Sequence, residues 1–96
     1  MARLLAHLLK WAYQPKLRRT SEHSWRSTIE HAREAIDELL DESPSLKPRL
    51  AQVIEPAYRD ALAQVVGESN LPKQTFPATC PWALDKIMAE NFWPDR

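Results

Sequence analysis

Residues 24–41 read SWRSTIEHAREAIDELLD and decide the fold. Apolar side chains recur in this stretch at intervals of three and four, which is the period of one face of an α-helix. They are Trp25, Ile29, Ala32, Ile36, Leu39 and Leu40. Ser24 stands where a serine can cap a helix, and residues 16–22 before it are expected to be a basic, irregular loop. The stripe therefore predicts a helix from Ser24 to about Asp41.

Two more long helices are predicted on either side of this one. The first covers residues 2–12 and ends before Pro15, because the residue that precedes a proline is pushed out of the α region. The other covers about residues 45–66, with Ser45 as its cap and Pro56 inside it. Gly67, the one glycine, is expected to end that helix in the usual glycine position.

A short fourth helix is predicted near the end of the chain. A loop from Asn70 to Pro77 leads to it, and Thr79 or Cys80 is its expected cap, with Pro81 in its first turn. One glycine against eight prolines disfavours the turns of an all-β domain. The sequence thus predicts an all-α fold, a small antiparallel helical bundle of three main helices and a short C-terminal helix, as one domain over residues 1–96.

The apolar faces predict how the helices pack and where the chain associates. The stripe of the second helix, with Ile36 and Leu39, is expected to be buried against residues 50–62 of the third. The first helix has a leucine face wider than one neighbour covers, made by Leu4, Leu5, Leu8 and Leu9. A soluble monomer rarely exposes such a patch, so these leucines are predicted to form an oligomer interface, with a second copy or a partner protein covering them.

Composition narrows the class of protein. A chain of 96 residues with 44% hydrophobic and 27% charged residues is ordinary for a globular protein, which argues against disorder. No apolar run approaches the roughly 20 residues that cross a bilayer, so no membrane partner is expected. Cys80 is the one cysteine and cannot form a disulfide within the chain, which agrees with a reducing, cytoplasmic location.

The charges are unevenly placed along the chain. Residues 1–33 hold seven Lys or Arg and two Glu, a net of +5, and the remaining residues hold six against eleven, a net of −5. The basic segment lies among tryptophans, so its arginines can stack on aromatic rings and hold a phosphate or a base, or can stack on the same rings and pair with carboxylates. We favour the second interpretation, which needs no ligand. The candidate binding residues are Trp11, Gln14, Arg18, Arg19, Trp25 and Arg26.

Other reactive side chains give weaker signals. His7 is expected to be a packed histidine bonded to a backbone carbonyl, since the first helix offers it no carboxylate. His23 and His31 are eight residues apart, whereas helical zinc sites favour closer pairs. Cys80 could have a lowered pKa at a helix start, but no histidine is near it in sequence. We assign no catalytic residue, no metal ligand and no cofactor.

The spaced motifs resemble a known family. The sequence is similar to domain-of-unknown-function family 29, an all-helical family of cyanobacteria and proteobacteria. The residues that carry the resemblance are HLLKW (7–11), QP (14–15), SWRSTI (24–29), SPSL (43–46), TFP (75–77), CPW (80–82) and FWP (92–94). The resemblance implies a bacterial, all-helical protein, and it does not point to any particular activity. It also implies that the chain matches the family's central and C-terminal part and lacks an N-terminal helical segment.

The sequence leaves the biochemical function unknown. We favour a non-catalytic protein-interaction or assembly module, which acts as a homo-oligomer or with a partner protein. The alternative is a nucleic-acid-associated protein, or one of a small regulatory pair, that uses the basic residues 16–26. A hydrolase or nuclease built on His7, Gln14 and Arg26 ranks last, so we lean against an enzyme.

Overall fold

The computed structural model describes residues 1–69 and 71–94, so Asn70, the expected start of the last loop, lies outside the described residues, as do Asp95 and Arg96. All regular elements within these ranges are helices: α1 (Ala2–Tyr13), α2 (Pro15–Glu42), α3 (Lys47–Glu68) and α4 (Leu84–Met88), with two short 3₁₀ turns, Pro44–Leu46 and Lys73–Thr75. This confirms the small all-α bundle with three main helices and a short fourth.

Helix α1 lies at the centre of the bundle. It packs against both α2 and α3, and those two helices are joined by the 3₁₀ turn that both of them contact. Leu4, Leu5, Leu8 and Leu9 are each at most 1% exposed as a result. The prediction that these leucines form an oligomer interface is therefore wrong, because α2 and α3 cover the two sides of their wide face within one chain.

Helix α2 begins much earlier than the sequence predicted. Pro15 occupies its first turn, where a proline lacks only an N–H that has no helical partner anyway, and the helix then continues without interruption to Glu42. The basic loop expected at residues 16–22 is thus helical, and Ser24 is not a cap. At 28 residues, α2 is about 42 Å long, which matches the 39 Å long dimension of the molecule.

The buried face of α2 also differs from the predicted one. Ile29 and Ile36 are buried, as expected, but Leu39 is 54% exposed and the buried position between the two isoleucines is Arg33. Helix α2 packs mainly against α1 and not against α3 as predicted, and Arg33 contacts α4 and the segment after it. Leu40 is the partly buried residue that continues the stripe at the end of α2.

Helices α3 and α4, in contrast to α2, begin later than the sequence predicted. Helix α3 begins at Lys47 after a 3₁₀ turn, with Leu46 rather than Ser45 at its N-cap, and Pro56 lies inside it as predicted. Gly67 is part of the helix and has no positive φ, so it is not the cap. Helix α4 begins at Leu84, beyond the predicted caps Thr79 and Cys80.

The segment between α3 and α4 is fastened to α3 by two hydrogen bonds. The Tyr58 hydroxyl donates to the Pro77 carbonyl over 2.7 Å, and the Cys80 amide donates to the Glu55 carboxylate over 3.1 Å. Tyr58 is fully buried, and this burial raises the pKa of its hydroxyl. These bonds hold the segment before α4 against α3, and the residues after α4 contact α2 through Arg33.

Candidate functional site

Arginine and tryptophan side chains meet where α1, α2 and the C-terminal segment converge. The rings of Trp11 and Trp93 are tilted by 40° with their centroids 4.7 Å apart. The Arg26 guanidinium carbon lies 4.4 Å from the Trp93 centroid and 5.4 Å from that of Trp11. Arg26 also pairs with Glu22, one turn earlier in α2, over 3.5 Å. We call the residues Trp11, Arg18, Arg26, Arg33 and Trp93 the Trp–Arg cluster.

Arg18 closes the other side of this cluster. Its guanidinium lies 5.3 Å from the Trp11 ring centroid, and its Nη1 donates to the Trp11 carbonyl over 3.1 Å. That carbonyl belongs to the last turn of α1, where backbone carbonyls lack helical partners and attract cations. The prediction that Arg18 or Arg26 lies against a tryptophan ring is confirmed. The carboxylate that Arg26 meets is Glu22 of its own helix.

The buried arginine of the cluster, Arg33, was missed in the sequence. It is 2% exposed, its Nε donates to the Ile87 carbonyl over 2.8 Å, and its Nη2 donates to the Phe92 carbonyl over 2.9 Å. Its guanidinium carbon also lies 5.3 Å from the Trp93 centroid. Burial lowers the pKa of Arg33, while nearby Glu30 and Glu90 oppose that shift. Arg33 therefore ties α4 and the terminal segment to α2.

One nitrogen of Arg33 has no partner in the described part of the chain. Nη1 is buried and makes no hydrogen bond among those residues. Glu30, Glu34 and Glu90 line the cavity beside Arg33, so the surroundings are acidic and do not suit an anion. A signal for this arginine does exist in the sequence: it follows Ile29 by four residues and precedes Ile36 by three, which places it on the buried face.

The remaining candidate binding residues lie apart from one another. Gln14 is 9% exposed at the junction of α1 and α2, where its backbone belongs to the ends of both helices. Trp25 is partly buried against the core, and Arg19 is exposed on the outer side of α2. The structure therefore brings together Trp11, Arg18 and Arg26 and leaves Arg19 on the surface.

The side chains considered for catalysis have structural contacts. His7 is half-buried, and its Nδ1 bonds to the Arg3 carbonyl over 2.9 Å, which confirms the packed histidine; burial lowers its pKa. Burial raises the pKa of the Cys80 thiol, which donates to the Trp82 carbonyl over 3.3 Å. Cys80 does not lie in the first turn of α4, so the helix start considered as a reason for a lowered pKa is not next to it. Within the described residues, no group of three His, Cys, Asp or Glu is arranged to hold a metal ion.

Comparisons with known proteins identify a family and nothing finer. A family model described as "Domain of unknown function DUF29" matches residues 1–93. The comparison with curated proteins gives no match, and neither does the comparison with solved structures. Among the described residues, no helix is long and apolar enough to cross a membrane. Because the match takes in nearly the whole chain, the prediction that the chain corresponds only to the central and C-terminal part of the family is slightly off. The chain belongs to the family of domains of unknown function DUF29.

Proposed function

We propose that this protein is a non-catalytic protein-interaction or assembly module whose contact surface is the exposed side of α2. The observation that carries the proposal is the order of charges along that helix. Lys16 and Arg19 are exposed in its first turns, and Asp41 and Glu42 are exposed in its last turn. Helix dipoles favour the opposite order, by about 0.3–1 kcal/mol for each exposed charge.

This order does not serve the stability of α2 itself. Its first turn contains no acidic residue and its last turn no basic one. Local features that oppose the stability of their own element are expected at functional surfaces. We therefore assign Arg19 and Lys16 to contact with a partner, and Trp11, Arg18 and Arg26 to holding the C-terminal segment against the bundle.

Nucleic-acid binding through residues 16–26 is the second candidate. Arg18 and Arg26 are both engaged with tryptophan rings, and Glu22 lies between them in the chain, so the basic surface is reduced mainly to Lys16 and Arg19. That is a small footprint for a nucleic-acid site, which normally needs clustered cations. Fluorescence anisotropy with a single-stranded RNA oligomer tests it. Binding that falls steeply with salt and is lost in Lys16→Glu/Arg19→Glu would favour this alternative over ours.

The test of the main proposal compares native complexes in extracts of cells that express the chain. We expect the wild-type chain, 11.1 kDa by sequence, to elute in a larger assembly and Lys16→Glu/Arg19→Glu to elute close to its own mass. Arg59→Glu, at an exposed position of α3, is the matched control and should behave as wild type. A wild-type chain that elutes at its own mass, or three indistinguishable profiles, would contradict the module.

A cytoplasmic location is part of the same proposal. It is supported by the single cysteine, Cys80, whose thiol is free and cannot form a disulfide within the chain.

A further inference from the structure

The charges on the outer side of α2 form one continuous stripe. Its first half carries Lys16, Arg19 and His23, and its second half carries Glu34, Asp37 and Asp41, all of them exposed. Exposed Glu30 lies on the same face between the two halves, and its removal in Glu30→Cys takes one acidic group away from the middle of the stripe. With 3.6 residues per turn, the six side chains of the two halves fall within about 60° of one another around the helix axis. We call them the α2 charge stripe. It is basic towards the beginning of the helix and acidic towards its end.

The spacing of the stripe makes it complementary to itself when reversed. If two α2 helices lie antiparallel so that paired residue numbers add up to about 57, Lys16 of each faces Asp41 of the other. In the same register Arg19 is level with Glu38 and one residue away from Asp37, and His23 faces Glu34. Each contact occurs twice, as a two-fold interface requires, because the same surface serves both copies.

We propose that a second copy of this chain covers the α2 charge stripe, with the two helices antiparallel about a two-fold axis near residues 28 and 29. This inference rests on the proposed function and names its partner. A parallel arrangement would set like charges opposite each other along the whole stripe, which is repulsive. In the antiparallel arrangement the two helix dipoles also point in opposite directions, so each positive helix end lies near the negative end of its neighbour.

The acidic end of the stripe offers more than charge. Asp37 and Asp41 border a groove of about 400 Å³ whose apolar lining includes Leu40, Leu84 and Met88. Lys47 and Asp85 line the same groove. Lysine and arginine side chains lay their methylene stems on apolar surface while the charged end meets a carboxylate. The groove therefore suits Lys16 and Arg19 of the second copy.

A second copy fits this surface better than other occupants do. A nucleic acid would satisfy only the basic half and would be repelled by the acidic half. An acidic or basic peptide would likewise match one half alone. Because exposed ion pairs are individually weak and are screened by salt, the pairing is expected to be weak and salt-dependent.

Charge exchange on the purified full chain tests the pairing. We expect light scattering to show dimers at about 50 mM salt and mostly monomers at about 500 mM, where the screening length is short. Lys16→Asp and Asp41→Lys should each weaken dimerisation by about tenfold, because each sets two like charges opposite each other. The double variant Lys16→Asp/Asp41→Lys should recover most of the wild-type association. Both substitutions agree with the helix dipole, so folding is expected to be preserved.

Two results would overturn the pairing. One is a wild-type chain that stays monomeric at low salt, and the other is a double variant that is no better than either single one. Arg59→Asp, on α3, is the matched control and should not change the association. If the purified chain is monomeric while complexes in extracts still depend on Lys16 and Arg19, the self-pairing fails and the interaction module stands.

Disulfide trapping tests the orientation independently. In a Cys80→Ser background, Glu30→Cys lies near the proposed two-fold axis, with an axial offset between copies of about 5 Å, whereas Thr20→Cys has an offset of about 25 Å. Mild oxidation should therefore give covalent dimers at low salt for Glu30→Cys and little for Thr20→Cys. Equal trapping at both positions would indicate parallel helices, and trapping at Thr20 alone would place the contact elsewhere; either result would contradict the proposal.

Discussion

Helices α1 and α2 use their residues in opposite ways. Six of the twelve residues of α1 are buried, whereas α2 buries three of its 28, and one of those three is Arg33. Helix α1 is covered by neighbours on both sides of its leucine face, and α2 presents most of its surface to solvent. The shorter helix therefore holds the core, and the longer one supplies a scaffold with a charged outer side. Length alone is a poor guide to which helix stabilises a small bundle.

The largest expected effect tests this division directly. Leu8→Ala in α1 should lower the free energy of unfolding by about 2–5 kcal/mol, because a fully buried leucine leaves a cavity. Leu39→Ala in α2 removes the same atoms from a side chain that is 54% exposed, and should cost less than about 0.5 kcal/mol. Urea denaturation of both variants measures the difference. If both variants lost about 2–5 kcal/mol, Leu39 would be covered in solution. If both lost less than about 0.5 kcal/mol, the central position of α1 would be contradicted.

The sequence predicted the fold class and which residues of α1 are buried, but it did not predict which elements pack against them. The wide leucine face of α1 correctly indicated two covering surfaces, and only the source of the second was wrong. One chain supplies both, since α2 and α3 each pack against α1. Periodicity reports which face of a helix is apolar and does not report which element lies against it, so this error could not be avoided from spacing alone.

The start of α2 was missed for a different reason. Pro15 was treated as the end of α1, which is correct, but a proline also suits the first turn of the next helix. Gln14 alone separates the two helices, and no serine or aspartate side chain caps the second. Of the candidate site, the contact of arginines with tryptophans was predictable from composition. The partner ring of Arg26 is mainly Trp93, 67 residues away in sequence, and no local pattern shows such a contact.

Arg33 provides the second comparison, between a buried and an exposed cation of the same helix. Arg33→Ala should cost about 1–3 kcal/mol, because the Ile87 and Phe92 carbonyls lose their donors at a buried site. Arg33→Lys should recover only part of this, since an ammonium group lacks the planar fork that reaches both carbonyls. Arg19→Ala, at an exposed position, should stay within about 0.5 kcal/mol of wild type.

Two measurements check the prediction for Arg33. Urea unfolding gives the loss of stability, and limited proteolysis reports whether residues 89–94 have become accessible. We expect faster cleavage in this segment for Arg33→Ala and wild-type cleavage for Arg19→Ala. If Arg33→Ala loses stability but its C-terminal segment stays protected, the arginine contributes packing within α2 and does not fasten the segment.

The smallest expected effect concerns the polar edge of α1, where it meets α3. Lys10 Nζ lies 2.8 Å from a carboxylate oxygen of Glu68, and this hydrogen bond lowers the pKa of Glu68 below its usual 4.5.

A carboxyl whose pKa is lowered by folding contributes stability above its unfolded pKa, and that contribution is lost as the pH falls through the folded value. Because Glu68 is half exposed, solvent screening limits the contribution to less than about 1 kcal/mol. Glu68→Gln should therefore be slightly less stable than wild type at neutral pH and equal to it at pH values well below 4.5. Chemical denaturation across this pH range measures this difference, and a stability gap for Glu68→Gln that persists in acid would show that the Lys10–Glu68 pair is not its source.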